Sequence, residues 1–209
     1  MVRVKICGIK RLADALAAVE AGAHAIGLNF WRPGKRYVAP EMARVIARSL
    51  PPFITRVGVF VDEDPETVEE IADLVGLDVL QFHGRESPEY CDRFDRPVIK
   101  AIPVRGPGSL RGLEHYHVAA WLLDAHVPGH VGGTGHTFDW ALAKEVREVG
   151  PVIISGGLTP ENVIDAIRAA TPFAVDVASG VETNGEKDPA KIREFVARVH
   201  AWNIAEVRP

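Results

Sequence analysis

Eight short apolar runs, most of them preceding a helix-start signal, predict an α/β protein: a single (β/α)8 TIM barrel with eight parallel strands spanning residues 1–209 as one domain. Two observations carry the prediction. Proline recurs at helix starts, in Ala39-Pro40-Glu41, Asp64-Pro65-Glu66, Ser87-Pro88-Glu89, Thr159-Pro160-Glu161 and Asp188-Pro189-Ala190, and prolines 40, 65 and 88 stand 25 and 23 residues apart. That period suits one strand, one loop and one helix. Strict alternation of strand and helix leaves an open doubly wound sheet or a closed barrel. The first strand ends Cys7-Gly8-Ile9-Lys10, without the G-x-G-x-x-G of a dinucleotide-binding sheet, and eight units in 209 residues favour the barrel.

The strands are expected at Arg3–Cys7, Ala25–Asn29, Thr55–Val61, Asp78–Phe82, Val98–Ile102, Ala120–Asp124, Val152–Ser155 and Ala174–Val177. Each is a short apolar run, as strands covered on both faces should be. The helices between them are expected near Leu12–Ala21, Pro40–Ser49, Pro65–Val75, Pro88–Phe94, Ser109–Glu114, Trp140–Val149, Pro160–Ala170 and Pro189–Ala201. Proline fits the first helical position because its missing N–H has no helical partner there. A Ser, Thr or Asp stands before most of these prolines as a cap. No Gly/Ser linker or charge block divides the chain.

Composition narrows the function classes. The chain is 47% hydrophobic and 25% charged, with a net charge of −4, and its length buries roughly 70% of the unfolded surface without staples. A pI near 6.1 speaks against a nucleic-acid partner, which wants a clustered basic face. No apolar run approaches the ~20 residues of a membrane span. Two cysteines, Cys7 and Cys91, are too few for a disulfide framework and fit a reducing cytosol, hence a cytoplasmic location. One Gln, four Asn and fifteen Pro hint at heat adaptation, and a barrel this small could gain stability as a homodimer. Histidines 115, 117, 126, 130 and 136 crowd one region, but no dedicated ligand spacing appears, so no metal is expected.

In barrels the chemistry sits on loops after the strands' C-terminal ends. Strand seven runs into Ser155-Gly156-Gly157-Leu158 and strand eight into Ala178-Ser179-Gly180-Val181. Glycines let backbone N–H groups approach an anion, so Gly156, Gly157, Ser179 and Gly180 are candidate phosphate ligands, against the plainer reading of tight turns. Gly133, within Gly132-Gly133-Thr134-Gly135, is a further candidate in a stretch that reads as a mobile cover or an anion nest. Cys7 closes strand one, where a thiolate would need a cation such as Arg36 near it; inert packing is the alternative. Cys91 reads as packing. Asp124 finishes an otherwise apolar strand, a costly place for a carboxyl unless it serves a site or pairs with an arginine. Asp176 in strand eight and His83 after strand four are candidate substrate or supporting residues. Arg32, Lys35 and Arg36 follow strand two, and a solvated loop charge is the default for each.

Taken together these stretches resemble the phosphoribosylanthranilate isomerase family of tryptophan biosynthesis, nearly end to end. The matching pieces are Lys5-Ile-Cys-Gly-Ile, Gly27-Leu-Asn-Phe, Gly34-Lys-Arg-Tyr, Val57-Gly-Val-Phe, Gln81-Phe-His-Gly, Gly132-Gly-Thr-Gly, Ser155-Gly-Gly-Leu and Asp176-Val-Ala-Ser-Gly-Val-Glu. Phe82 stands where the family pattern has leucine, and Gly34-Lys35 replaces a serine before Arg36. The resemblance implies an Amadori rearrangement of N-(5-phosphoribosyl)anthranilate to the 1-deoxyribulose 5-phosphate product, without cofactor. It implies Cys7 as general base, Asp124 as general acid and Arg36 as the partner of the anthranilate carboxylate. It also implies phosphate at Gly156, Gly157, Ser179 and Gly180.

Three rivals are weaker. The histidine-pathway isomerase resembles a two-half phosphate binder with an aspartate where Cys7 stands, and Val61-Asp-Glu-Asp and His83-Gly-Arg-Glu supply no matching glycine-rich loop. An indole-glycerol-phosphate synthase relies on a lysine acid, for which no constellation is evident. A non-catalytic sugar-phosphate-binding barrel would keep both glycine loops but would not need Cys7 and Asp124.

Overall fold

Alternating apolar side chains along eight short strands need cover on both faces, and a barrel ringed by helices supplies it. The computed structural model describes residues 1–125 and 138–207. Gly133 and its neighbours in Gly132–Gly135, and histidines 126, 130 and 136, lie outside the described residues.

Strands β1 (Arg3–Cys7), β2 (Ala25–Asn29), β3 (Thr55–Phe60), β4 (Val79–Phe82), β5 (Val98–Val104), β6 (Ala120–Ala125), β7 (Val152–Ile154) and β8 (Ala174–Val177) follow one another around a closed barrel. All neighbours run parallel, and β1 closes the ring on β8 with Lys5 opposite Asp176. Helices α1 (Leu12–Glu20), α2 (Pro40–Arg48), α3 (Pro65–Val75), α4 (Pro88–Cys91), α5 (Ala143–Val146), α6 (Val163–Ala170) and α7 (Pro189–Val207) alternate with them, and a two-strand hairpin of β9 (Glu182–Thr183) and β10 (Glu186–Lys187) precedes α7.

Proline starts α2, α3, α4 and α7 as expected, and Ser87 caps α4 by accepting from Tyr90 N. Asp64 accepts from the backbone N–H groups of Glu66 and Thr67, and α3 ends at Gly76 with φ 75°, a left-handed turn that glycine adopts without strain. Several stretches depart from the sequence reading: the helix expected at Pro88–Phe94 stops at Cys91, the one expected at Trp140–Val149 is a 3-10 turn (Trp140–Leu142) followed by a single α turn (Ala143–Val146), and the last helix runs on to Val207. Residues 109–114 form no α-helix but are split between two 3-10 turns, Pro107–Leu110 and Leu113–His115, because Gly112 enters the left-handed region at φ 80° between them. The helix expected from Pro160 begins at Val163: Asn162 accepts from Thr159 N and donates to Gly157 O, so its side chain takes the bonds a first turn would make.

The strands' two faces separate two cores. Outward residues such as Ile6, Ile26, Leu28, Leu80 and Leu123 are fully buried against the helices, each worth roughly 1.5–3 kcal/mol of burial. Inward residues Val57, Ile99, Ala101, Leu122 and Ile153 fill the N-terminal half of the barrel's inside. Phe82 belongs to the outer core: its ring stands 5.0 Å from Phe94, 5.1 Å from Tyr90 and 6.4 Å from Phe60, an aromatic row that a leucine would not complete.

Candidate active site

Along each strand every second residue faces inward, and toward the C-terminal ends these inward positions turn from apolar to polar. Cys7, Asn29, Gln81, His83, Asp124, Ser155 and Asp176 line one cavity of about 60 Å³, with Arg36, Trp31 and Val59. Thus Cys7 and Asp124, candidates from strands one and six, meet at a common space, and His83, Asp176 and Arg36 join them.

On the β1 side the cavity wall is a buried ion pair. Lys5, two residues before Cys7 and hence on the same face, gives its ammonium to Asp176 Oδ1 at 2.7 Å, and Ser155 Oγ donates to Asp176 Oδ2 at 3.2 Å. Burial alone would depress the Lys5 ammonium, yet the charge and hydrogen bond of Asp176, aided by Cys7, raise it to about 12. Burial, seconded by the negative charge of Asp176, pushes the Cys7 thiol up, while the charge and hydrogen bond of Lys5 oppose that rise. Gly27 of β2 leaves the room this arrangement needs: a β-carbon there would stand 2.7 Å from Cys7 Sγ and 3.1 Å from Lys5 Nζ. Cys91, by contrast, is buried behind β4–β5 with its thiol pushed up to about 11, chiefly by desolvation, and is packing as expected.

Of the three cations after β2, Arg32 and Lys35 are exposed and only Arg36 turns into the site. Its Nε and Nη2 donate to the two carboxylate oxygens of Glu182 at 2.7 and 2.8 Å. Lys187 of β10 donates to Glu182 Oε1 at 2.8 Å and to Ala178 O at 2.8 Å, tying the hairpin to the end of β8. A planar guanidinium held on one edge keeps its other edge oriented.

Opposite, His83 Nε2 lies 3.2 Å from Asp124 Oδ2, and Gln81 Nε2 lies 3.1 Å from His83 Nδ1. Behind them the buried Lys100–Glu86 pair (3.0 Å) anchors the β4 loop, Glu86 accepting from Gly84 N and Asp62 N. The glycine loops of β7 and β8 lie against each other: a β-carbon on Gly180 would overlap the Leu158 carbonyl, and one on Gly156 would come within 2.7 Å of Asp124 Oδ1. Gly156 and Gly157 also adopt φ of 81° and 63°, and a 3-10 turn, Ser179–Val181, follows β8.

Lys5, Gln81 and Glu182 were not singled out from the sequence. Strand alternation signals the first two, at two positions before Cys7 and His83; for Glu182, in a loop, only the charge match to Arg36 was available. Among the described residues, no group of three or more metal-ligating side chains gathers and no helix is long and apolar enough to cross a membrane.

Fold and site together define a (β/α)8-barrel enzyme with acid–base side chains gathered at the C-terminal ends of its strands. A family model described as N-(5'-phosphoribosyl)anthranilate isomerase matches residues 4–198. Curated relatives of that name include one from Desulforudis audaxviator, 56% identical over 94% of this chain and 97% of its own. Another, from Geobacter sulfurreducens, is 51% identical over 97% of this chain and 100% of its own. The solved phosphoribosyl anthranilate isomerase of Thermotoga maritima superposes with TM-score 0.90 at 45% identity over 96% of this chain and 100% of its own. The chain belongs to the N-(5'-phosphoribosyl)anthranilate isomerase family, and it is an isomerase. A 3-hexulose-6-phosphate synthase at 11% identity and TM-score 0.67 shares the fold alone.

Proposed function

We propose that residues 1–209 act as one catalytic barrel in which Asp124 is the general acid and Cys7 the general base of the family's Amadori rearrangement in tryptophan biosynthesis. Asp124 protonates the ribose ring oxygen of N-(5-phosphoribosyl)anthranilate, the C1–O bond breaks, and the lone pair on the anilino nitrogen closes a Schiff base. Cys7 removes the C2 proton, the electrons of that C–H bond form the enolamine, and tautomerisation yields the 1-(2-carboxyphenylamino)-1-deoxyribulose 5-phosphate ketone. Both are proton transfers, each typically worth about 10²–10⁴-fold, so the scheme has no place for a redox centre or group carrier. The observation that carries the reading is the shared cavity lined by Cys7, Asp124, Arg36, His83 and Asp176.

The adjoining Gly156–Gly157 and Ser179–Gly180 loops support a phosphate site there, in the position barrels often use. The free edge of Arg36 suits the anthranilate carboxylate, with Asp176 and His83 beside the sugar. A solved family structure at 43% identity and TM-score 0.87 is described as a complex with reduced 1-(o-carboxyphenylamino)-1-deoxyribulose 5-phosphate, which supports a phosphorylated small-molecule substrate. The loss of phosphoribosylanthranilate fluorescence measures turnover. Cys7→Ser and Asp124→Asn should each lower kcat by about 10²–10⁴-fold; near-normal turnover of either variant removes that residue from its role.

Two free cysteines support a cytoplasmic location. A homodimer is supported by the opposite barrel end. Phe53, fully exposed at φ 71°, follows Pro51 and Pro52 beside a cavity of about 470 Å³ bordered by Leu50, Ile54 and Arg56. An exposed aromatic of that kind fits a second copy, and one solved Thermotoga maritima structure is described as monomers generated from a dimeric phosphoribosylanthranilate isomerase. Phe53→Ser should sediment as a monomer and keep its kcat; a monomeric parent protein counts against the assembly.

A further inference from the structure

Gln81 is a buried amide that the proposed chemistry does not use. It lies on β4 with 1% of its surface exposed, facing inward between Val59 of β3 and Ile99 of β5 in the barrel register. An amide in such apolar surroundings costs free energy unless its polar atoms are met. One of them is: Nε2 stands 3.1 Å from His83 Nδ1. The other, Oε1, is buried and has no hydrogen-bond partner among the described residues, and the same holds for Asp124 Oδ1. Between these two oxygens runs a chain of contacts, Gln81 Nε2 to His83 Nδ1 and His83 Nε2 to Asp124 Oδ2 at 3.2 Å.

The donor inventory gives that chain a direction. A glutamine Nε2 only donates, so the Nδ1 it faces must accept through its lone pair. The imidazole is then neutral with its proton on Nε2, and that N–H donates to Asp124 Oδ2. Doubly protonating the ring would turn Nδ1–H against the amide N–H. With Oδ2 engaged, Oδ1 is the Asp124 oxygen left to hold a proton, in a carboxyl group that lines the cavity with Gln81 and His83.

We propose that Gln81 is a positioning residue for the general acid: it holds His83 in the neutral Nε2–H tautomer, which clamps Asp124 Oδ2 and fixes the orientation of the acid's carboxyl group. The inference rests on the reading of Asp124 as the acid. Such outer partners are costly to lose because they fix the geometry of a proton transfer without touching the substrate.

Imidazole ¹⁵N NMR of the whole protein tests it, with His83→Asn identifying the His83 signals among the eight histidines. The expected result is an unprotonated Nδ1 and a protonated Nε2 in the parent protein. Gln81→Met, close in volume and without an amide, should release that preference. It should also lower kcat on the order of tenfold to a hundredfold, with KM changing less than about threefold. Gln81→Glu, a second variant of nearly the same shape, should move the ring proton to Nδ1 because a carboxylate there accepts, and should lose kcat likewise. A protonated Nδ1 in the parent protein overturns the proposal, as do Gln81 variants that lose thermal stability but keep both tautomer and kcat per folded molecule. Asp124→Asn assayed in parallel separates the two levels. If it turns over normally the acid assignment fails, whatever the tautomer; if it is crippled while the Gln81 variants are normal, only the positioning role fails.

Discussion

Replacing Gly27 by alanine probes the site at its tightest point. The added β-carbon would stand 2.7 Å from Cys7 Sγ, 3.1 Å from Cys7 Cα and 3.1 Å from Lys5 Nζ. Non-bonded heavy atoms rest about 3.5–4.0 Å apart, so the sulfur must retreat by roughly 1 Å. A shift of that size at a reacting group costs about 10²-fold in rate, or about 2.7 kcal/mol of barrier. Overpacking itself takes about 1–3 kcal/mol of stability. Gly58→Ala supplies the comparison, because its β-carbon would overlap Leu77 Cδ1 and stand 2.9 Å from Phe60 Cε2. It crowds the outer face of β3, away from the cavity. Both variants should melt at lower temperature, but only Gly27→Ala should lose kcat/KM in the phosphoribosylanthranilate fluorescence assay, corrected for folded fraction. A Gly27→Ala enzyme with parental kcat/KM, or equal losses in the two variants, would refute the argument that Cys7 works in this pocket.

Two further outcomes follow from the same geometry. Burial and Asp176 already raise the Cys7 thiol against the opposing Lys5. Lys5→Met should therefore raise it more, and a base that works deprotonated then loses activity at a higher pH as the solution is acidified. The low-pH limb of kcat/KM and the pH dependence of Cys7 alkylation by iodoacetamide should move up together, and an unmoved limb counts against Lys5 as the thiolate's partner. Gly180→Ala should push the β8 loop off the Leu158 carbonyl it abuts. Competitive inhibition by inorganic phosphate should weaken by about tenfold, equivalent to about 1.4 kcal/mol; an unchanged inhibition constant places the phosphate elsewhere.

Much of the barrel was legible because its signals are local. Three strands have the expected ends, β1, β2 and β8, and α3 matches at both of its ends, since Asp64, Pro65 and Gly76 state where it begins and stops. Two of the misses arose where a side chain or a glycine overrode periodicity, at Asn162 and at Gly112. Within the site, Cys7 and Asp124 stood out as reactive groups closing apolar strands. Lys5 did not, because from sequence alone it is a charge inside a strand, and only alternation hints at the side it faces.

Residue order alone therefore determined the βα alternation, the strand count, the glycine loops after strands seven and eight, and the strand-end residues that carry the family resemblance. Local propensity and period act over a few residues, and those suffice to write such features. Tertiary structure alone decided which candidates meet. Closure of β8 on β1 brought Asp176 to Lys5 across 171 residues, and the hairpin after β8 brought Glu182 to Arg36 across 146. Ring closure also put Gln81, His83 and Asp124 in one line, although β4 and β6 are not neighbours in the sheet. Contacts of that span depend on barrel register and shear, quantities set by the packing of all eight strands together and written in no single stretch of chain.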